Sequence, residues 1–211
     1  MIELDADSNY PDCVFVEDAA VVLERRAVGC APGAPSRRGE VDAVLGAVAR
    51  FLPVARIEGP ATLDGGDVLR IGGELFVGMS ARTSAAGIEA LARIAARDGL
   101  RVVPVRLLGN ALHLKSVVTA ATDDLLIGVR GEFDSAPFGG REIVYVDPNE
   151  TPGANVLRAA GTVLVSASAP SLAAELARRA IPTIALDLSE FEKGDGGLTC
   201  LSLILSPRDH A

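Results

Sequence analysis

The chain has 211 residues, 49% of them hydrophobic and only 4% aromatic, which fits one domain over residues 1–211 with an aliphatic core. Twenty Lys+Arg against 28 Asp+Glu leave a formal charge of −8 and no concentrated basic surface; this argues against nucleic acid or an anionic membrane as partner and favours a small cationic ligand. No apolar run approaches the roughly 20 residues of a membrane span, the acidic start Met1-Ile2-Glu3-Leu4-Asp5 is not a secretory signal, and a cytoplasmic location is expected. The three cysteines include no CxxC pair and suggest neither a disulfide framework nor a zinc site.

Val14-Phe15-Val16 followed by Ala20-Val21-Val22-Leu23 reads as a β-hairpin of short β-branched runs. Val41, Val44, Leu45, Val48 and Leu52 then keep helical spacing. A second hairpin spans Val68–Ile71, a Gly72-Gly73 turn and Leu75-Phe76-Val77. It is followed by helical spacing at Ile88, Leu91, Ala92 and Ala95, then a strand at Val102–Val105. The third runs from Val117-Val118 through Asp123-Asp124 to Leu125-Leu126-Ile127. Residues 131–140 are too short and too Gly/Pro-rich for a helix before the strand Ile143–Val146. The fourth comprises Val156-Leu157, Gly161 and Val163-Leu164-Val165, with helical Leu172 and Leu176 and a strand at Thr183–Leu186. A final apolar strand, Leu198–Leu205, begins where a fifth hairpin should start.

One unit of hairpin, helix and strand thus recurs every 40 to 50 residues or so, the mark of a radial array or a solenoid. An ordinary α/β sandwich is the alternative reading. The fifth unit is only half present, and the residues before Pro11 are too few to complete it, so a leading segment is expected to be missing.

Four clusters carry chemistry. Pro11-Asp12-Cys13-Val14-Phe15-Val16-Glu17-Asp18 is an apolar strand flanked by carboxylates, with adjacent Glu17 and Asp18 facing opposite sides. Clustered carboxylates are costly to desolvate unless a cation such as a guanidinium meets them. Leu63-Asp64-Gly65-Gly66-Asp67 turns tightly between two acids. Leu112-His113-Leu114-Lys115-Ser116 holds one of two histidines, which alternation with leucine also allows as a core imidazole; His210 is set aside as part of the tail. Finally, a Gly-rich loop from Glu190 to Gly197 leads to Cys200. Cys200, His113 and Asp64 supply a nucleophile, a base and an orienting carboxylate, while Cys13 and Cys30 read as structural.

The stretches PDCVFVEDAAVV, PGAPSRRGEV, LDGGDVL, VGMSART, ALHLKS and EKGDGGLTCLSLI together resemble the dimethylarginine dimethylaminohydrolases of the guanidino-group modifying superfamily. The resemblance implies an α/β fold, a five-bladed propeller of ββαβ repeats (pentein-like), here with its last blade incomplete. It implies Cys200 as nucleophile, His113 as general acid and base, and Asp64 as its orienting carboxylate. Asp18 and Asp195 would accept the substrate guanidinium with Glu17 beside them. Arg37 and Arg82 would clamp the α-carboxylate, and Asp12 with the carbonyl of Gly194 would anchor the α-amine. The implied reaction is hydrolysis of asymmetric dimethylarginine or monomethylarginine to citrulline and a methylamine through a covalent Cys200 intermediate. No metal or organic cofactor is implied, the partner is the small-molecule substrate, and a homodimer is allowed. Two alternatives stay open: an arginine deiminase or related amidino-group enzyme, and a non-catalytic relic that binds arginine-like ligands. The family's leading strand, lid loop and helix have no counterpart here, so a wetter site is expected.

Overall fold

The computed structural model describes residues 1–205; His210 lies outside the described residues. Four three-stranded sheets follow one another along the chain. The first comprises β1 (Ala20–Val22), β2 (Ala27–Gly29) and β3 (Val54–Arg56), and the second β4 (Val68–Ile71), β5 (Glu74–Met79) and β6 (Arg101–Arg106). The third holds β7 (Val118–Ala120), β8 (Leu125–Gly128) and β9 (Glu142–Tyr145); the fourth β10 (Leu157–Ala159), β11 (Thr162–Ser166) and β12 (Thr183–Leu186). In each sheet the first two strands pair antiparallel and the third lies parallel to the second.

A parallel pair needs a crossover. Helices α1 (Val41–Val48), α2 (Ala85–Ala95) and α3 (Pro170–Arg178) supply it in the first, second and fourth sheets. The third sheet uses only a 3-10 turn at Ala136–Phe138, as its Gly/Pro content foretold. Helix α2 shows how sequence makes the element: Ser84 caps its start by accepting the N–H of Gly87. Gly99, at φ +73°, takes the left-handed conformation after the closing turn. Its face Ile88, Leu91 and Ala95 packs with Val68, Leu75 and Val77, each fully buried aliphatic side chain contributing roughly 1.5–3 kcal/mol.

Neighbouring sheets share cores. Ile71 and Phe76 of the second pack with Val118 and Leu126 of the third, and Leu125 and Ile127 of the third pack with Val163 and Val165 of the fourth. This radial packing of ββαβ blades is the propeller-like α/β architecture the repeat implied.

Three expectations need correction. Val14-Phe15-Val16 is not a strand: backbone turns from Asp7, Tyr10 and Asp12 lead into a 3-10 turn at Val16–Ala19. The first hairpin is instead β1 with β2, and its third strand, β3, was not foreseen because Val54–Arg56 is short and largely exposed. Glu17 and Asp18 therefore do not alternate across a strand; both are buried in one tight turn. Lastly, Leu198–Leu205 is not a continuous strand. Asn155 captures Thr199 and folds Thr199–Leu201 into a 3-10 turn. Ser202 is extended, and residues 202–205 belong to no sheet among the described residues. Leu203 and Leu205 pack against the cluster formed by α1 with Ala19, Ala20 and Ala27.

Candidate active site

Each blade's first strand is preceded by a short 3-10 turn, at Val16–Ala19, Gly65–Asp67, Leu114–Ser116 and Thr151–Ala154, and a fifth lies at Thr199–Leu201. The first four touch one another in succession, and the fifth touches the first. A cavity of about 120 Å³ opens beside them, and its walls include Asp12, Asp18, Arg37, Arg82, His113, Gly194, Asp195 and Cys200. Eight of the ten residues singled out in the sequence thus line one hollow. The other two, Asp64 and Glu17, lie behind the wall.

Asp64 is fully buried. Its Oδ2 lies 3.0 Å from His113 Nε2, and its Oδ1 accepts the N–H of Gly33 at 2.7 Å. His113 Nδ1 faces Asp18 Oδ1 at 3.7 Å. Burial alone would lower the imidazole pKa, but the hydrogen bond to Asp64 and the charges of Asp18, Asp67 and Asp64 outweigh it. The net is a raised pKa that favours the proton-donating form. Gly66 explains the double glycine of LDGGD. A Cβ there would lie 2.6 Å from Asp18 Oδ1 and 2.7 Å from His113 Nδ1, and its N–H donates to Asp18 at 2.9 Å.

Arg37 behaves otherwise than expected. The resemblance assigns it to the substrate α-carboxylate, yet its guanidinium is buried and pairs with Asp18 and with Glu40 at 2.6 Å. It also donates to the carbonyls of Asp12 at 3.1 Å and Phe15 at 3.0 Å. Its five donors match so many oxygens that it acts as the keystone of the Asp12–Asp18 turn. One oxygen of Asp18 is therefore already on a guanidinium within the chain. Arg82, half-buried, lines the same cavity.

Glu17 is also displaced from its expected role. Its carboxylate pairs with Lys115 at 2.5 Å and accepts the Thr199 hydroxyl at 2.6 Å. It faces a second cavity of about 250 Å³ walled by β1, β4 and β10, not the one at Cys200. Burial raises its pKa despite Lys115.

Cys200 is half-buried, and its Sγ accepts the N–H of Gly197 at 3.5 Å. Burial first, then the charges of Glu17 and Asp18, outweigh the Gly197 N–H and Lys115 and push the thiol up to about 11. The raised value favours the neutral thiol of Cys200. Asn155 holds its turn: the amide oxygen takes the N–H of Thr199 at 2.9 Å, and Nδ2 reaches Thr199 Oγ1 and the Lys115 carbonyl. Asp195, exposed at φ +58°, holds a conformation costly for a residue with a Cβ, as residues poised at sites often do.

Asp18, Asp64 and His113 bring one ligand atom each within 4.8 Å of one another. Each already has a partner within the chain, so the cluster is satisfied without an ion. Lys115, Thr199, Asn155 and Asp67 are the working residues that sequence reading passed over. Lys115, Asp67 and Thr199 stood inside the quoted motifs, and Asn155 directly precedes the fourth hairpin, so position offered the only signal.

Residues 53–136 match the arginine deiminase family model. The N(G),N(G)-dimethylarginine dimethylaminohydrolase of Streptomyces coelicolor is 42% identical over 97% of this chain and 78% of its own length. The enzyme of the same name from Pseudomonas aeruginosa is 37% identical over 95% of this chain and 79% of its own. The solved structure of the Pseudomonas aeruginosa enzyme with citrulline superposes with a TM-score of 0.87 at 34% identity, covering 92% of this chain and 77% of that one. With the propeller-like blades and the Cys200, His113 and Asp64 constellation in place, the chain belongs to the dimethylarginine dimethylaminohydrolase family.

Proposed function

We propose that this chain hydrolyses N-omega-methylated arginine to citrulline and a methylamine through a covalent intermediate on Cys200. The observation that carries the reading is the single cavity where Cys200, His113, Asp18, Asp195, Arg82, Asp12 and Gly194 converge. A substrate guanidinium sits between Asp18 and Asp195, held by charge-assisted hydrogen bonds. Arg82 meets the α-carboxylate, and Asp12 with the Gly194 carbonyl meets the α-amine.

The incoming cation offsets the charges of Asp18 and Glu17 that keep Cys200 protonated, so the thiolate forms chiefly with substrate bound. The thiolate attacks the guanidinium carbon. The carbon–nitrogen bond to the methylated nitrogen then breaks, and the proton of His113 goes to the departing amine. A thiouronium remains on Cys200. Neutral His113 next takes a proton from water, the hydroxide adds to the same carbon, and the carbon–sulfur bond breaks to release citrulline. Asp64 fixes the imidazole through both steps.

The test is citrulline release from asymmetric dimethylarginine by the purified chain, with Cys200→Ser as control. Release by the parent chain that vanishes in the variant supports the reading. Release from arginine but not from its methylated forms favours the deiminase alternative, which the arginine deiminase family match keeps in view. No release from either by a folded sample sinks it.

A further inference from the structure

We propose that Asp67, at the end of the LDGGD turn, is the positioning residue that fixes the acid/base pair and the Arg82 turn relative to one another. The inference rests on the reading of His113 as the acid and base. Asp67 is fully buried and touches neither Cys200 nor the cavity described above. Its Oδ1 accepts the N–H of Leu114 at 2.9 Å, which pins the backbone directly after His113. Its Oδ2 accepts the hydroxyl of Thr83 at 2.6 Å, and Thr83 Oγ1 in turn accepts the N–H of Asp64 at 3.2 Å. The same Oδ2 takes the hydroxyl of Ser80 at 2.5 Å, and Ser80 Oγ accepts the N–H of Arg82 at 3.0 Å. One carboxylate therefore anchors the backbone next to His113 through Leu114, Asp64 through Thr83, and Arg82 through Ser80.

Among the described residues no other side chain hydrogen-bonds to all three of these segments. Burial pushes the Asp67 pKa up, and the charge of His113 and the three accepted hydrogen bonds act against it in favour of the anion. Its fit is close as well: a Cβ at Gly78 on β5 would come within 2.5 Å of Asp67 Oδ1. The buried charge also bears on the imidazole it supports. His113 is faced by Asp64 and Asp67 from the Gly65–Asp67 turn and by Asp18, itself paired with Arg37, from the Val16–Ala19 turn. Cys200 borders the same cavity. Removing the Asp67 charge leaves the imidazole with less to hold its proton.

The experiment compares Asp67→Asn, which keeps the shape but not the charge, with Thr83→Val and Thr83→Ser. The readouts are thermal unfolding, the kinetics of citrulline release and the NMR titration of His113. The chain has two histidines, so a His210→Gln background leaves a single imidazole signal. The expected result for Asp67→Asn is a folded protein whose His113 titrates roughly one pH unit lower, with kcat reduced about 10- to 100-fold and the acid limb of the pH profile moved the same way. Thr83→Val lowers kcat with little change in KM, and Thr83→Ser restores it. An unshifted His113 titration in folded Asp67→Asn overturns the proposal, and so does a Thr83→Val variant with parental kcat. Should Asp67→Asn not fold, the two Thr83 variants decide alone. The titration needs no turnover, so an inactive parent chain would count against the proposed reaction and leave this test standing.

Discussion

Cys200 sits among more negative charge than positive. Its thiol is lifted from an ordinary value of 9 to about 11 by burial, Glu17 and Asp18. A thiol held neutral in this way reacts slowly with electrophiles. The shift of about two units predicts roughly a hundredfold less thiolate at neutral pH than an unperturbed cysteine would carry. Iodoacetamide alkylation of the Cys200 peptide, followed by mass spectrometry across pH, should therefore rise with a midpoint near 11. A saturating amidine that occupies the Asp18 side of the cavity should bring the midpoint down. A midpoint near 8 in the free protein would contradict the charge balance described here. The sign for stability follows from the same shift. Because the folded thiol titrates above the unfolded one, its contribution is intact below pH 9 and is lost as pH rises through about 11.

The working elements are the 3-10 turns that open each blade, and they show where sequence patterns stop informing. Hairpins two to four were legible because β-branched runs flank Gly or Asp turns, and α1 to α3 because apolar residues recur at helical spacing. The turn at Val16–Ala19 was not, since Val14, Phe15 and Val16 read as strand until Arg37 gathers the carbonyls of Asp12 and Phe15. Motif resemblance placed the cavity-lining residues well, but the partners that fix them are remote in sequence. Glu17 meets Lys115 98 positions away and Thr199 182 positions away, and no local pattern encodes such pairs. The Gly65–Asp67 turn makes a sharper claim. In Gly66→Ala the new methyl must push aside Asp18, His113 or the turn itself, because its nearest neighbours stand 2.6 and 2.7 Å away. Overpacking of this kind costs about 1–3 kcal/mol, and the misplaced imidazole should cost about a hundredfold in kcat. Gly73→Ala, in the neighbouring hairpin turn where a Cβ meets nothing within 4 Å, is the control. Equal activity in the two variants would show that the close approach at Gly66 does not matter.

Across the molecule, cores shared between successive blades hold the array together, and the sequence of blades brings the fifth 3-10 turn round to meet the first. That contact joins Cys200's turn to Asp18's, so the relative placement of the two depends on the two ends of the described chain staying in register. Beyond the fifth turn, residues 202–205 run on without a sheet partner among the described residues. Leu203 and Leu205 face inward against α1, while Ile204 points out at 49% exposure. An apolar segment outside any sheet can pair with another chain. Light scattering of the purified chain should therefore show self-association that grows with concentration. Ile204→Lys, which places a charge on the outward face without touching the inward leucines, should reduce it. Because Ile204 borders the larger cavity beside Glu17 and not the one at Cys200, the same variant should release citrulline at the parental rate. Unchanged scattering in Ile204→Lys would mean that other surface drives association, with the exposed Ile184 and Leu186 of β12 next to be substituted. Lost activity with unchanged folding would mean that the segment after Cys200 governs the nucleophile's position as well as the blade's edge.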